Sequence, residues 1–280
     1  MISTNYDNSR KLDRFIELGF SLSSPNIELW KVLMHEQIFP THVHDMFVIG
    51  VVLDGVFAIG YRGIQYLARA GDIFLINHGI FHTGRSACAD GVKFYYILIP
   101  AQLIQNHLGD YLHLNEPVSM KDWQLATRLI QYFEIQALRD AVLTQRETHK
   151  IISRLLFLIR PMLSRKIATT PIADSRMQTI DFKIKTSLNM SISVAELAAT
   201  VGLSRFHFLR IFKKHFGTTP HSHIQALRIA KAKRLIASGL TPIDAAIATG
   251  YVDQSHMSRW MKNCYGVTPT TYYNHLCALG

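Results

Sequence analysis

The sequence predicts an α+β chain of two domains, an N-terminal β-barrel and a C-terminal all-α domain, and three observations carry that reading. One supersecondary unit is written twice near the C-terminus, and the chain between Ile27 and about Pro100 breaks into short β-rich runs separated by turn signals. The charge is also lopsided: residues 176–280 hold 13 Lys and Arg against 4 Asp and Glu, whereas residues 1–175 hold 17 against 16. With 280 residues, 48% of them hydrophobic and 18% charged, the chain can bury two cores of ordinary size. A basic domain suits a polyanion, because each phosphate contact releases condensed counterions.

Taken in order, residues 1–25 are polar and then mildly amphipathic, and they support no functional reading. The runs ELWKVLMHE, HDMFVIGVVLDG, VFAIGYRG, IQYLARAGD, IFLINHG and KFYYILIP follow, a spacing typical of a sandwich or barrel. Within them THVHDMFVIGVVLDG places His42, His44 and Met46 on one side of a strand by period two, and GDIFLINHGIFH brings His82 after a Gly-Asp turn. The barrel interior is the default ligand pocket. Its candidate lining is His42, His44, Met46, Tyr61, Arg62, His82 and Tyr96. The aromatics equally read as core, and Arg62 beside Gly63 as a hairpin turn.

From about Asp122 the pattern turns helical in WQLATRLIQYFEIQ and ETHKIISRLLFLIRPML. Ile151, Leu155, Leu158, Ile159 and Met162 form a stripe broad enough to pack on the barrel and meet a partner. It reads either as a dimer element or as an intramolecular pair closing the barrel. RKIATTPIADSR is polar, contains proline and lacks periodicity, as a linker would. The expected boundaries are therefore a domain over 1–165, a linker over 166–176 and a domain over 177–280, the last opening with the helix MQTIDFKIKTSL.

The repeated unit runs from Ser193 to Pro220 and again from Thr241 to Pro269. Gly202 matches Gly250 at an offset of 48, whereas His207, Arg210, Lys213, Gly217 and Pro220 match His256, Arg259, Lys262, Gly266 and Pro269 at 49, so the second turn carries one extra residue. Each copy reads as helix, short turn, helix. Ser193 with Glu196 makes a capping box, Thr241 before Pro242 an N-cap with an N1 proline, and Ser204 and Asp253 cap the second helices. Gly217 and Gly266 stand where left-handed residues would end those helices. Helical spacing buries Phe208, Ile211 and Phe212 in the first copy, leaving Arg205, Phe206, Leu209, Arg210, Lys213 and Lys214 outward. In the second it buries Met257, Trp260 and Met261, leaving Gln254, Ser255, His256, Ser258, Arg259 and Lys262. Arg suits guanine O6 and N7, Gln suits adenine N6 and N7, and Phe206 and Leu209 suit thymine methyls. Between the copies HSHIQALRIAKAKRLIA forms a helix with Ile224, Leu227, Ile229, Ala230 and Leu235 buried and Lys231, Lys233 and Arg234 left for solvent or phosphate.

The segments GLSRFHFLRIFKKHFG, RIAKAKRLI, ATGYVDQSHMSRWMK and YGVTPTTYY together resemble the AraC/XylS family of bacterial transcription regulators, with Met257, Met261 and Tyr251 where that family usually has Phe. The HxHD and GD…H segments resemble the cupin-like ligand-binding domain of the same family. The resemblance implies a sequence-specific DNA-binding regulator, by the family's commoner mode an activator. Its partners would be promoter DNA, a small-molecule effector in the barrel, a second copy of the chain through the 122–164 helices, and RNA polymerase. Two alternatives are a regulator set by a partner protein and a metal-dependent cupin enzyme fused to a DNA-binding domain.

Metal-binding cupins generally supply a Glu shortly after HxH; here Asp45, Met46, Phe47, Val48 and Ile49 follow, and Asn77 replaces the usual Pro. The expectation is therefore no metal, no cofactor and no enzyme. Cys88, Cys264 and Cys277 are too few and scattered for a disulfide framework or a zinc site, which fits a reduced cytoplasm. No stretch reaches the roughly 18 consecutive apolar residues that a membrane span requires.

Overall fold

The structure is a computed structural model that describes residues 16–17, 21–22, 27–108, 114, 116–137, 145–163 and 175–279. The 166–176 linker lies almost wholly outside the described residues, as does most of the 1–25 segment. The N-terminal domain holds strands β1 (Ile16–Glu17), β2 (Ser21–Leu22), β3 (Ile27–Met34), β4 (Ile38–His42), β5 (Met46–Tyr61), β6 (Ile64–Arg69), β7 (Asp72–Ile76), β8 (His82–Ser86), β9 (Val92–Pro100) and β10 (Val118–Lys121). Helices α1 (Ala101–Leu108), α2 (Trp123–Ala137) and α3 (Gln145–Leu163) complete it.

The strands form an open, cupin-like barrel of two sheets. One runs β1-β3-β9-β5-β7-β10, and the other pairs β4 with β8 and β8 and β6 with the far half of β5. The sequence suggests two short strands broken at Asp54-Gly55, but β5 is one strand of 16 residues that passes from sheet to sheet. Its pairing with β9 shifts register between Val52 and Asp54, a bulge that bends the strand around the barrel corner.

Alternation explains why these strands are apolar throughout. In β3, Trp30, Val32 and Met34 face the barrel interior while Ile27 and Leu29 face the opposite way, toward the core shared with α2 and α3. The same division puts Val48, Phe74 and Phe94 inside and Ile49, Leu75 and Ile97 outside. A strand buried on both faces reads as a continuous hydrophobic run. Leu155 and Ile159 of the α3 stripe are buried with this outer core, so the intramolecular role is realised for them, while Phe157 stays 76% exposed.

The C-terminal domain comprises α4 (Ser175–Thr186), α5 (Val194–Thr200), α6 (Arg205–Phe216), α7 (Pro220–Ala237), α8 (Pro242–Ala248), α9 (Gln254–Tyr265) and α10 (Pro269–Leu279). The caps fall where local sequence chemistry requires. Ser193 and Glu196 form the reciprocal box, and Ser204, Thr241 and Asp253 each accept a backbone N–H of the first turn. Gly217 and Gly266 adopt φ of 73° and 77°. The turn between α8 and α9 is one residue longer than that between α5 and α6, as the change of offset predicts.

Several burial expectations are corrected: Ile211, Leu227 and Leu235, expected buried, are half-buried. Trp260 is only half-buried, beside the fully buried Met257 and Met261, because it lies at the margin of the second unit's core. Lys233, expected in solvent or on phosphate, is buried. The linking helix α7 is covered on several sides, with Ile229, Ala232 and Ile236 in the core of the second unit, Ile224 in that of the first, and Ala226 and Ala230 against Val43 of the N-terminal domain.

Candidate nucleic-acid interface and domain seam

The outward face of α6 carries Arg205, Phe206, Arg210, Lys213 and Lys214 exposed and Leu209 half-buried; that of α9 carries Ser255, Arg259 and Lys262 exposed and Gln254, His256 and Ser258 half-buried. Phe206 is 81% exposed. Two of these side chains are engaged at home: Gln254 donates to Thr270 Oγ1 at 3.2 Å, and the His256 ring meets Tyr251 edge-on at 5.4 Å. Arg228 of α7 donates to the carbonyls of Leu188 and Met190, both at 2.8 Å, tying the linking helix to the turn after α4. The six exposed cations of α6 and α9 set the salt response. If Arg210 and Arg259 reach bases and the other four reach phosphate, DNA affinity should fall about 10²-fold between 50 and 200 mM salt. Retardation assays across that range measure it, and a flat response would remove the electrostatic argument.

The predicted effector residues do not share one pocket. His42, His44 and His82 converge, with ring centroids 4.2 to 5.3 Å apart, although residues 43–45 are not strand and the period-two premise fails locally. Burial, then repulsion from the neighbouring imidazoles, holds His42 and His44 well below the usual range; burial pushes His82 down to about 4. All three rings are neutral at neutral pH. Tyr96 stacks on Trp30 at 5.9 Å inside the barrel, beside Phe57, Phe74 and Phe94, which fill the interior. Arg62 sits instead in a two-residue hairpin tip with Gly63, and Tyr61 is the last residue of the strand before it. Arg62 and Gly63 have φ of 48° and 84°, as a mirror-image hairpin turn requires, and the guanidinium lies over the Tyr61 ring at 5.2 Å.

What sequence reasoning missed is the seam between the domains. Glu28 of β3 is buried and receives four donor contacts: Lys233 Nζ to both carboxylate oxygens at 2.6 Å, Tyr272 OH at 2.6 Å and Trp30 Nε1 at 2.8 Å. Tyr265, at the C-terminal end of α9, donates its hydroxyl to the Val43 carbonyl at 2.8 Å, and its ring lies 5.5 Å from that of His44. Phe81 stacks on His223 of α7 at 4.0 Å. The hairpin tip reaches the end of α6: a Cβ on Gly217 would stand 2.9 Å from Arg62 Cα. The N-terminal domain thus touches the C-terminal ends of both recognition helices. A signal for Lys233 exists, since it lies four residues after Ile229 and three before Ile236, on the apolar stripe. Glu28 likewise falls in phase with Trp30, Val32 and Met34.

Beside this hub lies a cleft of about 250 Å³ lined by Glu28, Asp45, Met46, Pro100, Ala101 and Gln102 from one domain and Lys233, Arg234, Ala237 and Tyr272 from the other. Met46 alone of the predicted effector residues lines it.

Residues 31–156 match the AraC-like ligand binding domain family and residues 197–275 a helix-turn-helix domain family. The chain belongs to the AraC/XylS family. It is a DNA-binding transcription regulator with a ligand-binding domain of that family. It is 24% identical over 243 residues to the uncharacterized HTH-type transcriptional regulator YbfI of Bacillus subtilis, covering 83% of this chain and 86% of the relative. It is 23% identical over 239 residues to the lactose operon transcription activator of Staphylococcus xylosus, covering 81% and 84%. A structure of ToxT from Vibrio cholerae with an unsaturated fatty acid bound shares the fold, with a TM-score of 0.52 and 15% identity over 89% of this chain and 94% of that one. Among the described residues no helix is long and apolar enough to cross a membrane.

Proposed function

We propose that this AraC/XylS regulator is a cytoplasmic, one-component transcription activator in which a small-molecule effector acts at the seam between the domains rather than deep in the barrel. The Glu28 hub supports this reading, because the buried pair joins the ligand-binding domain to the helix that spaces the two DNA-reading units. The barrel interior is filled with aromatic rings, whereas the adjoining cleft is open, small and charged on both walls. Lys233 and Arg234 favour an anionic effector that competes with Glu28 and Asp45 for them. Such a ligand would exchange the pair that holds the domains. ToxT has been solved with an unsaturated fatty acid, which carries one carboxylate. A second copy of the chain docks on the outer face of α2 and α3, where Phe157 and Ile135 are exposed, and RNA polymerase is engaged by the promoter-bound protein.

In this reading Arg210, Gln254 and Arg259 contact base edges, while Lys213, Lys214 and Lys262 contact phosphate. Arg259→Ala and Gln254→Ala are expected to cost about 1–3 kcal/mol each at particular base pairs, with Lys262→Ala weakening all sequences alike. Binding-site selection on randomised DNA checks this. A uniform loss for all three variants would reassign Arg259 and Gln254 to the backbone.

A further inference from the structure

We infer that His42, His44 and His82 form a binding site for a divalent transition metal of the zinc class, placed at the seam directly beneath the end of the second recognition helix. The missing glutamate favours no metal on sequence grounds, but the geometry points the other way. One nitrogen from each ring lies within 4.8 Å of the others. Metal–nitrogen bonds of about 2.0–2.1 Å in a tetrahedral shell set nitrogens about 3.4 Å apart, so an ion would draw the three rings together by up to about 1.4 Å.

The second shell is already in place for two of the three. His42 Nδ1 lies 2.8 Å from the Pro40 carbonyl and His82 Nδ1 2.9 Å from the Ile80 carbonyl. A carbonyl only accepts, so both Nδ1 atoms carry the proton and both Nε2 atoms keep a lone pair. An imidazole held this way by a backbone carbonyl is the usual arrangement of a metal-ligating histidine. Three imidazoles without thiolate or carboxylate select Zn²⁺, Co²⁺, Ni²⁺ or Cu²⁺ over Mg²⁺ or Ca²⁺. Three protein ligands leave a fourth position open to water or to a donor atom of a small molecule. The nearby cation, Lys233, is matched by Glu28, so it leaves the site less repulsive to an ion than its distance alone suggests.

Val43 lies between two of the ligands, and its carbonyl receives the Tyr265 hydroxyl. An ion drawing His42, His44 and His82 together therefore stiffens the acceptor on which α9 rests. This consequence rests on the coupling proposed above; the site itself does not.

The test uses the full chain, stripped by a chelator and titrated with Co²⁺ and then Zn²⁺. One Co²⁺ per chain is expected, with the visible d–d absorption of a four-coordinate site, an X-ray absorption shell of three imidazoles and displacement by Zn²⁺. His42→Ala and His82→Ala should weaken binding at least about 100-fold. His78→Ala, an exposed histidine outside the cluster, should leave it unchanged. Absence of saturable binding, or a shell with fewer than three imidazoles in the wild-type chain, overturns the site even if the alanine variants fail to fold. Promoter affinity is then measured with and without Zn²⁺. A several-fold change in the wild type that disappears in Tyr265→Phe supports the link to α9. Stoichiometric metal with no change in promoter affinity keeps the site and removes the coupling.

Discussion

Lys233→Met is expected to destabilise the folded chain by about 3–5 kcal/mol, because it strands the Glu28 carboxylate in a site where, among the described residues, Tyr272 and Trp30 remain to donate. Glu28→Gln keeps the shape and removes the opposite charge, so it should cost a similar amount by leaving a buried ammonium. The double variant Glu28→Gln/Lys233→Met should recover much of either loss, since a neutral pair no longer carries the desolvation penalty of an unmatched ion. Denaturant unfolding of all four proteins closes the cycle. Additive losses would show that the two residues act independently and that the seam is held elsewhere. The same variants bear on regulation: any that folds should have lost the response of DNA binding to effector, because the exchange of the pair is the proposed signal.

Inserting five base pairs between the two DNA sub-sites is expected to weaken binding by about 10²- to 10⁴-fold, the advantage of a linked second reader. The units are joined by α7, whose 18 residues span about 27 Å at 1.5 Å per residue. That helix is buried against both units and tied by Arg228 to the turn after α4, so it acts as a fixed spacer. Successive major-groove faces on one side of straight DNA lie about 34 Å apart, so if α7 holds α6 and α9 closer than that, the complex bends its DNA, at an elastic cost of order 1–6 kcal/mol. Half a turn of added DNA moves one sub-site to the far face of the duplex. Footprints that persist on both sub-sites after the insertion would mean flexible tethering, and a bend assay on the parent site tests the spacing independently.

Both predictions concern a fold that was partly written locally and partly not. The paired helix-turn-helix units were legible because their determinants lie within a few residues of one another. Ser193 and Glu196 cap a single turn, Gly217 and Gly266 end helices by their own backbone freedom, and Phe208 with Phe212 or Met257 with Met261 mark a buried stripe at helical spacing. The outward cations followed from the same period. The strands were legible from their apolar runs, but their joining was not: whether Asp54-Gly55 turns or merely bends depends on β9, about 40 residues away, which pairs across the bulge.

The convergence of His42, His44 and His82, the placement of Arg62 against the end of α6, and above all the Glu28–Lys233 pair were decided by tertiary structure alone. Lys233 stands on an apolar stripe and Glu28 on an inward strand face, so each sequence position hints at burial, yet neither names its partner. The two are 205 residues apart. A buried charge is tolerable only when an opposite one reaches it, and that match depends on how two separately folded cores dock, for which no local period carries information.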